Sequence, residues 1–205
     1  MEAVNTNLLE FGVATLTLPG ESESGDEYLV KYYKSGVLVA VVDGLGHGSE
    51  AAGAARLAVR TLRQHAGETA ISLVKQCHAA LPGTRGVVMS LACFSSSDDT
   101  MTWVGVGNVE GLLMRADPRA APNHESLLLR GGVIGGTMSA LRATVLPISR
   151  GDTLVFATDG VGHDFTEAVS LDDSPQAVAD RVMKTHGKDT DDALVLVARY
   201  VGNTP

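Results

Sequence analysis

Asp43-Gly44-Leu45-Gly46-His47-Gly48 places a carboxylate at the end of a solid apolar run (37–42) and follows it with three glycines at every second position. A buried strand that ends on an acid and then turns through glycines leaves that acid open to solvent or to a metal. The device recurs at Leu154-Val155-Phe156-Ala157-Thr158-Asp159-Gly160, and the pair Asp191-Asp192 stands just before the apolar run 193–198. Three strands, each with an Asp at one end, can assemble a carboxylate cluster across a sheet. Magnesium and manganese take such oxygen donors in octahedral geometry, with several retained waters and one or two carboxylates beside a substrate phosphate. Gly44 leaves its carbonyl sterically free as a further donor. With two ions roughly 3.5–4 Å apart, one carboxylate can bridge them and a water between them becomes a nucleophile near neutral pH. No serine–histidine–acid arrangement is legible and neither cysteine has a signature, so a covalent route is disfavoured.

The elements that must position these acids are readable in outline. Residues 8–18 read as a strand, and 28–33 with 37–42 as a hairpin turned at Lys34-Ser35-Gly36. Behind the glycine loop, 49–64 is alanine-rich with helical spacing and is expected to be capped by Ser49. A second helix is predicted over 69–81, stopped by Pro82-Gly83. Short strands are predicted at 86–94, 100–106, 111–115, 126–129, 144–146 and 153–157; their quick succession indicates an antiparallel sheet and not a βαβ repeat. A third helix over 174–186 has a cap at Ser174 and Pro175 at its first position, and a strand over 193–200 closes the pattern. Strands outnumber helices and the helices fall in two blocks, which predicts an α+β sandwich with sheets inside and helices outside. There is no internal repeat, low-complexity tract or linker, so one domain is expected over 1–205.

Composition narrows the class. The chain has 205 residues, 44% hydrophobic and 20% charged, which suits one well-buried core. A net charge of -8 repels phosphate backbones and anionic lipid, so nucleic-acid and membrane binding are disfavoured. No window approaches the apolar length of a membrane span, and the N-terminus has no signal-peptide character. Cys77 and Cys93 read as buried free thiols, and the expected location is the cytoplasm.

Gly25-Asp26, Asp43-Gly44-Leu45-Gly46-His47-Gly48, Gly105-Val106-Gly107-Asn108, Thr158-Asp159-Gly160 and Asp191-Asp192 occur in that order over nearly the whole chain. The sequence thereby resembles metal-dependent serine/threonine protein phosphatases of type 2C, in the bacterial sporulation-phosphatase-like branch. The resemblance implies an αββα sandwich of two mainly antiparallel sheets, with two Mn²⁺ or Mg²⁺ ions at one end. It implies that Asp43 bridges the ions, that Gly44 gives its backbone carbonyl, and that Asp159 and Asp191 hold the first ion, Asp191 being favoured over Asp192. Asp26 would act through water, and Asp43, Asp159 and Asp26 would form the catalytic set. Gly25 stands where much of the wider family has an acid. No arginine is evident near the first strand to bind phosphate, which leaves the ions to orient the phosphoryl group. As a bare catalytic domain, the chain looks like the stressosome feedback phosphatases. That implies phosphorylated STAS-domain proteins as substrates and partners, in a bacterial stress-signalling complex, and a monomeric state is expected.

Each acidic motif also has a plain reading: Asp43 as a helix cap, Asp159-Gly160 as a strand-exit turn, Asp191-Asp192 as a solvated loop. Their joint appearance at strand ends outweighs these. His47 and His163 each follow an Asp-Gly and could donate a proton to a leaving alkoxide; for His163 a packed loop histidine is the favoured reading. Gly105-Val106-Gly107-Asn108 is expected to shape a turn without touching substrate, and Trp103 to be core. The competing functional classes are a catalytically silent binding module on the same fold and a metal hydrolase for small phosphate esters.

Overall fold

The computed structural model describes residues 8–202. Two sheets stack face to face, with helices on both outer faces. The first sheet runs β1-β11-β10-β6-β7, from β1 (Leu9–Leu16), β11 (Ala193–Tyr200), β10 (Thr153–Ala157), β6 (Glu110–Met114) and β7 (His124–Ser126). The second runs β2-β3-β4-β5-β8, from β2 (Asp26–Tyr33), β3 (Gly36–Gly44), β4 (Val87–Ser95), β5 (Thr100–Val106) and β8 (Leu129–Arg130). β9 (Thr144–Pro147) also pairs with β5. All pairings are antiparallel except β5–β8. This is the α+β sandwich expected from the sequence.

The apolar run of β3 explains the layering. Val37, Val39 and Val41 point into the seam between the sheets, with Ala92, Phe94, Trp103, Leu154, Phe156, Leu194 and Leu196. Leu38, Ala40 and Val42 point the other way, onto α1 (Gly48–His65) and α2 (Ala70–Ala80). A strand buried on both faces has no polar alternation to show. The alanines of α1 (Ala51, Ala52, Ala54, Ala55, Ala58) are all fully buried, and their small side chains let the helix lie close on β3. On the far side, α3 (Pro175–His186) covers the first sheet through Val178, Ala179 and Val182 against Val155, Val195 and Val197.

Several boundaries differ from the sequence expectation. α1 begins at Gly48 with His47 in the cap position and no side-chain cap bond, so Ser49 lies inside the helix and does not cap it. Thr69 and Ser174 do cap α2 and α3, accepting from the Ser72 and Ala177 amides. The strand expected over 126–129 is split, because Leu127 turns into the core while its amide bonds to Gly111, and Leu128 faces solvent. The consecutive strands β5 and β6 do not pair; they belong to different sheets. A short 3-10 helix, Phe165–Ala168, went unforeseen. No helix among the described residues is long and apolar enough to cross a membrane.

Candidate metal centre

The acids meet at one end of the sandwich because both sheets present strand ends there. In the β2–β3 pairing Asp26 lies opposite Asp43. The loop after Asp43 is tied on both sides: the Gly44 amide donates to the Gly25 carbonyl (3.0 Å) and the Leu45 amide to the Gly86 carbonyl (3.1 Å). A Cβ at Gly44 would collide with the Ala51 carbonyl of α1, so only glycine fits this approach of helix to strand. From the other sheet, Thr158 directly follows β10. Its hydroxyl donates to Asp26 Oδ2 (2.8 Å) and accepts from the Leu194 amide (2.8 Å), joining the two sheets beneath the acids.

A cavity of about 270 Å³ opens above, lined by Asp43, Asp159 and Asp191 together with His47, Asn108 and Thr190. Asp26 lies buried behind it. Asp192 turns away: it is buried, and its two carboxylate oxygens accept from the Leu18 and Gly25 amides at 2.8 and 2.7 Å. Of the final acidic pair, Asp191 therefore faces the cavity and Asp192 fastens the 17–25 loop. Gly25 leaves little room for a side chain, since a Cβ there would lie 3.2 Å from Asp192 Oδ2 and 3.3 Å from the Gly44 carbonyl.

Negative charge is concentrated here. Burial, reinforced by repulsion from Asp26, Asp159, Asp191 and Asp192, pushes the Asp43 carboxyl up to about 8. Asp26 rises to about 7, chiefly through burial; the Thr158 hydrogen bond opposes the rise, and repulsion from Asp192, Asp159 and Asp191 adds to it. Neither lysine nor arginine is among the described residues that line the cavity. Hard oxygen donors converging with a deficit of positive charge fit a Mg²⁺ or Mn²⁺ site. Among the described residues no three His, Cys, Asp or Glu side chains are already closed into a ligand cluster. Asp26 is turned onto Thr158 and Asp192 onto the backbone, while Asp159 Oδ2 accepts from Asn108 Nδ2 at 2.6 Å. Asp43, Asp159 and Asp191 line the cavity and could hold ions; Gly44, the expected carbonyl donor, is not among its lining residues.

Three neighbours escaped the sequence reading. Asn108 contacts Asp159 and lines the cavity, so the 105–108 turn does reach the site. Lys188 Nζ donates to the Asp159 carbonyl (2.8 Å). Arg85 lies over the glycine loop: its Nη1 is 2.5 Å from where a Cβ on Gly46 would sit, and its Nε donates to Glu50 at 2.6 Å. All three are brought in from distant elements; Asn108 ends a motif read only as a turn, and no local motif marks Lys188 or Arg85. His47 pairs through Nδ1 with Glu21 at the cavity wall. His163 pairs with Glu110 and does not line the cavity.

The family described as Stage II sporulation protein E (SpoIIE) matches residues 34–201. This chain belongs to that family. The phosphoserine phosphatase RsbX of Bacillus subtilis (strain 168) is 26% identical over 151 residues, 73% of each chain. A chain solved in work on the bacterial stressosome as a modular system is 27% identical, covers 93% of this chain and 99% of its own, and superposes with a TM-score of 0.85. RsbX in complex with magnesium shares the fold, with a TM-score of 0.82, 22% identity, and 94% and 95% of the two chains covered. The chain is an RsbX-like protein phosphatase domain of the type 2C kind, a hydrolase of the SpoIIE family.

Proposed function

We propose that this phosphatase removes phosphoryl groups from serine or threonine of phosphorylated STAS-domain regulators, with two Mn²⁺ or Mg²⁺ ions at the acidic cavity. The observation that carries this reading is the convergence of Asp43, Asp159 and Asp191, from three strands of two sheets, on one cavity with Asp26 buried behind it. The relatives' association with phosphoserine, magnesium and the stressosome supports the choice of substrate and cofactor.

Asp43, Asp159, Asp191 and the Gly44 carbonyl would hold the ions. Bound Mn²⁺ or Mg²⁺ supplies Lewis-acid polarisation of the phosphoryl group and lowers the pKa of water. Asp26, fixed by Thr158, keeps a carboxylate buried behind the cavity, where it would accept a proton from water. Asn108 orients Asp159. His47, paired with Glu21, stands at the wall where a leaving alkoxide would take a proton. Arg85, above Gly46, would meet a phosphoryl oxygen, a role the sequence left to the ions alone. Two free cysteines, Cys77 and Cys93, accord with action in the cytoplasm.

Hydrolysis of p-nitrophenyl phosphate with and without Mn²⁺ tests the reading, beside the Asp159→Asn variant. Manganese-dependent turnover that the substitution abolishes is expected. Turnover of neither this ester nor a phosphorylated STAS protein with any divalent ion would overturn it in favour of a silent binding module.

A further inference from the structure

A second polar groove, of about 560 Å³, shares no lining residue with the acidic cavity. Its walls include Arg130, Ser139, Leu141 and Arg142. Arg130 sits in β8, and its carbonyl accepts the Gly107 amide at 2.8 Å; the next residue, Asn108, lines the acidic cavity. The groove and the cavity are thus linked through the Gly107-Asn108 backbone.

The two arginines differ from most others in this acidic chain. Arg56, Arg85, Arg115, Arg119 and Arg181 each pair with a carboxylate. Among the described residues neither Arg130 nor Arg142 has a side-chain hydrogen bond or ion pair. Arg130 Nε is moreover the one buried side-chain nitrogen or oxygen without a partner among the described residues. A buried donor left unsatisfied is costly, so one that persists calls for a ligand or an explanation. Nε and one Nη of a guanidinium form a fork that matches the two oxygens of a carboxylate or phosphate. Arg142, exposed on the same groove, adds a second positive charge.

We propose that this groove docks an acidic, carboxylate-bearing segment of the phosphoprotein substrate, outside the residue being dephosphorylated. The proposal rests on the phosphatase reading above for its biological setting. Its physical basis is independent: on a chain of net charge -8, an acidic segment is repelled by most of the surface and held where two arginines stand unpaired.

Labelled peptides without a scissile phosphoserine or phosphothreonine test it by fluorescence anisotropy in EDTA: one neutral, one with glutamates, one with a single phosphotyrosine. The wild type should bind the glutamate peptide in preference to the neutral one, and binding of the phosphotyrosine peptide alone would overturn the carboxylate assignment. Arg142→Ala, and Arg130→Lys as a packing-conserving change, should each weaken that binding about tenfold. With Mn²⁺, both should raise KM for an acidic phosphopeptide by a similar factor and leave kcat and p-nitrophenyl phosphate turnover unchanged. Equal binding of neutral and charged peptides, or undiminished binding by Arg142→Ala, would overturn the proposal. Because the anisotropy needs neither metal nor turnover, an inactive protein would sink the phosphatase reading and leave docking to be decided by binding alone.

Discussion

Asp192 holds Gly25 across the end of the sandwich. Its Oδ2 accepts the Gly25 amide at 2.7 Å, while Oδ1 takes the Leu18 amide at 2.8 Å. One side chain just ahead of β11 thus anchors both ends of the loop that leads into Asp26. Asp191, one residue earlier, faces the cavity.

This division of labour gives opposite expectations for adjacent residues. Asp192→Ala orphans two backbone donors and should lower stability by about 2–6 kcal/mol, at roughly 1–3 kcal/mol for each unsatisfied group. Asp191→Asn should leave the melting temperature nearly unchanged and weaken Mn²⁺ binding sharply. Thermal melts with a Mn²⁺ titration on both variants decide it; a stable Asp192→Ala protein that has lost Mn²⁺ would reverse the assignment.

The raised carboxyls set a pH dependence whose sign is unusual for acids. Asp43 and Asp26 have folded values of about 8 and about 7, above their unfolded ones, so the metal-free folded state binds more protons than the unfolded chain. Stability in EDTA should therefore fall as pH rises from about 4 towards 8 and level off above that. Saturating Mn²⁺ should flatten the decline, because ions replace the protons. Urea melts at pH 5, 7 and 9 read this directly, and Asp43→Asn should remove part of the slope. Rising stability over that range in EDTA would contradict the carboxylate crowding.

Much of this site could be read in the sequence, because Asp43, Asp159 and Asp191 each stand at one end of an apolar run long enough to be a buried strand. The apolar run 37–42 of β3 shows no alternation, which is the pattern of a strand covered on both faces, and Asp43 follows that run directly. What stayed hidden depends on tertiary approach. Asn108 reaches Asp159 across 51 residues, and Asp192 reaches Gly25 across 167. The role of Arg85 follows from the Leu45–Gly86 backbone bond, which brings the α2–β4 connection beside the glycine loop. The split at 127–128 was hidden for a related reason. Leu127 and Leu128 are alike in composition, and only the position of Gly111 decides which is buried.

Two glycines near α1 should respond oppositely to a methyl group. Gly44→Ala would press a Cβ into the Ala51 carbonyl, so α1 must shift; a loss of about 1–3 kcal/mol and weaker Mn²⁺ binding are expected. Gly53 lies within α1, exposed, with nothing within 4 Å of its Cβ position. Gly53→Ala should stabilise by about 0.5–1 kcal/mol through helix propensity alone, with activity unchanged. Denaturant melts of the two variants compare them on one scale, and equal effects would mean that α1 does not pack on Gly44 as described.

Arg85 provides a test of how the phosphoryl group is recognised. Its Nε is fixed by Glu50 and its Nη1 lies over Gly46, whose backbone lines the acidic cavity. The Arg85–Glu50 pair is largely exposed, so breaking it should change stability by less than about 1 kcal/mol. Arg85→Ala should accordingly fold normally and bind Mn²⁺ as before. Its KM for p-nitrophenyl phosphate should rise about tenfold, the scale of one charge-assisted hydrogen bond, with kcat much less affected. Inhibition by inorganic phosphate should weaken by the same factor, since product and substrate share the group that Arg85 would touch. Arg85→Lys should restore only part of the loss, because an ammonium keeps the charge but not the fork. A variant with unaltered KM and unaltered phosphate inhibition would place recognition of the phosphoryl group on the bound ions alone.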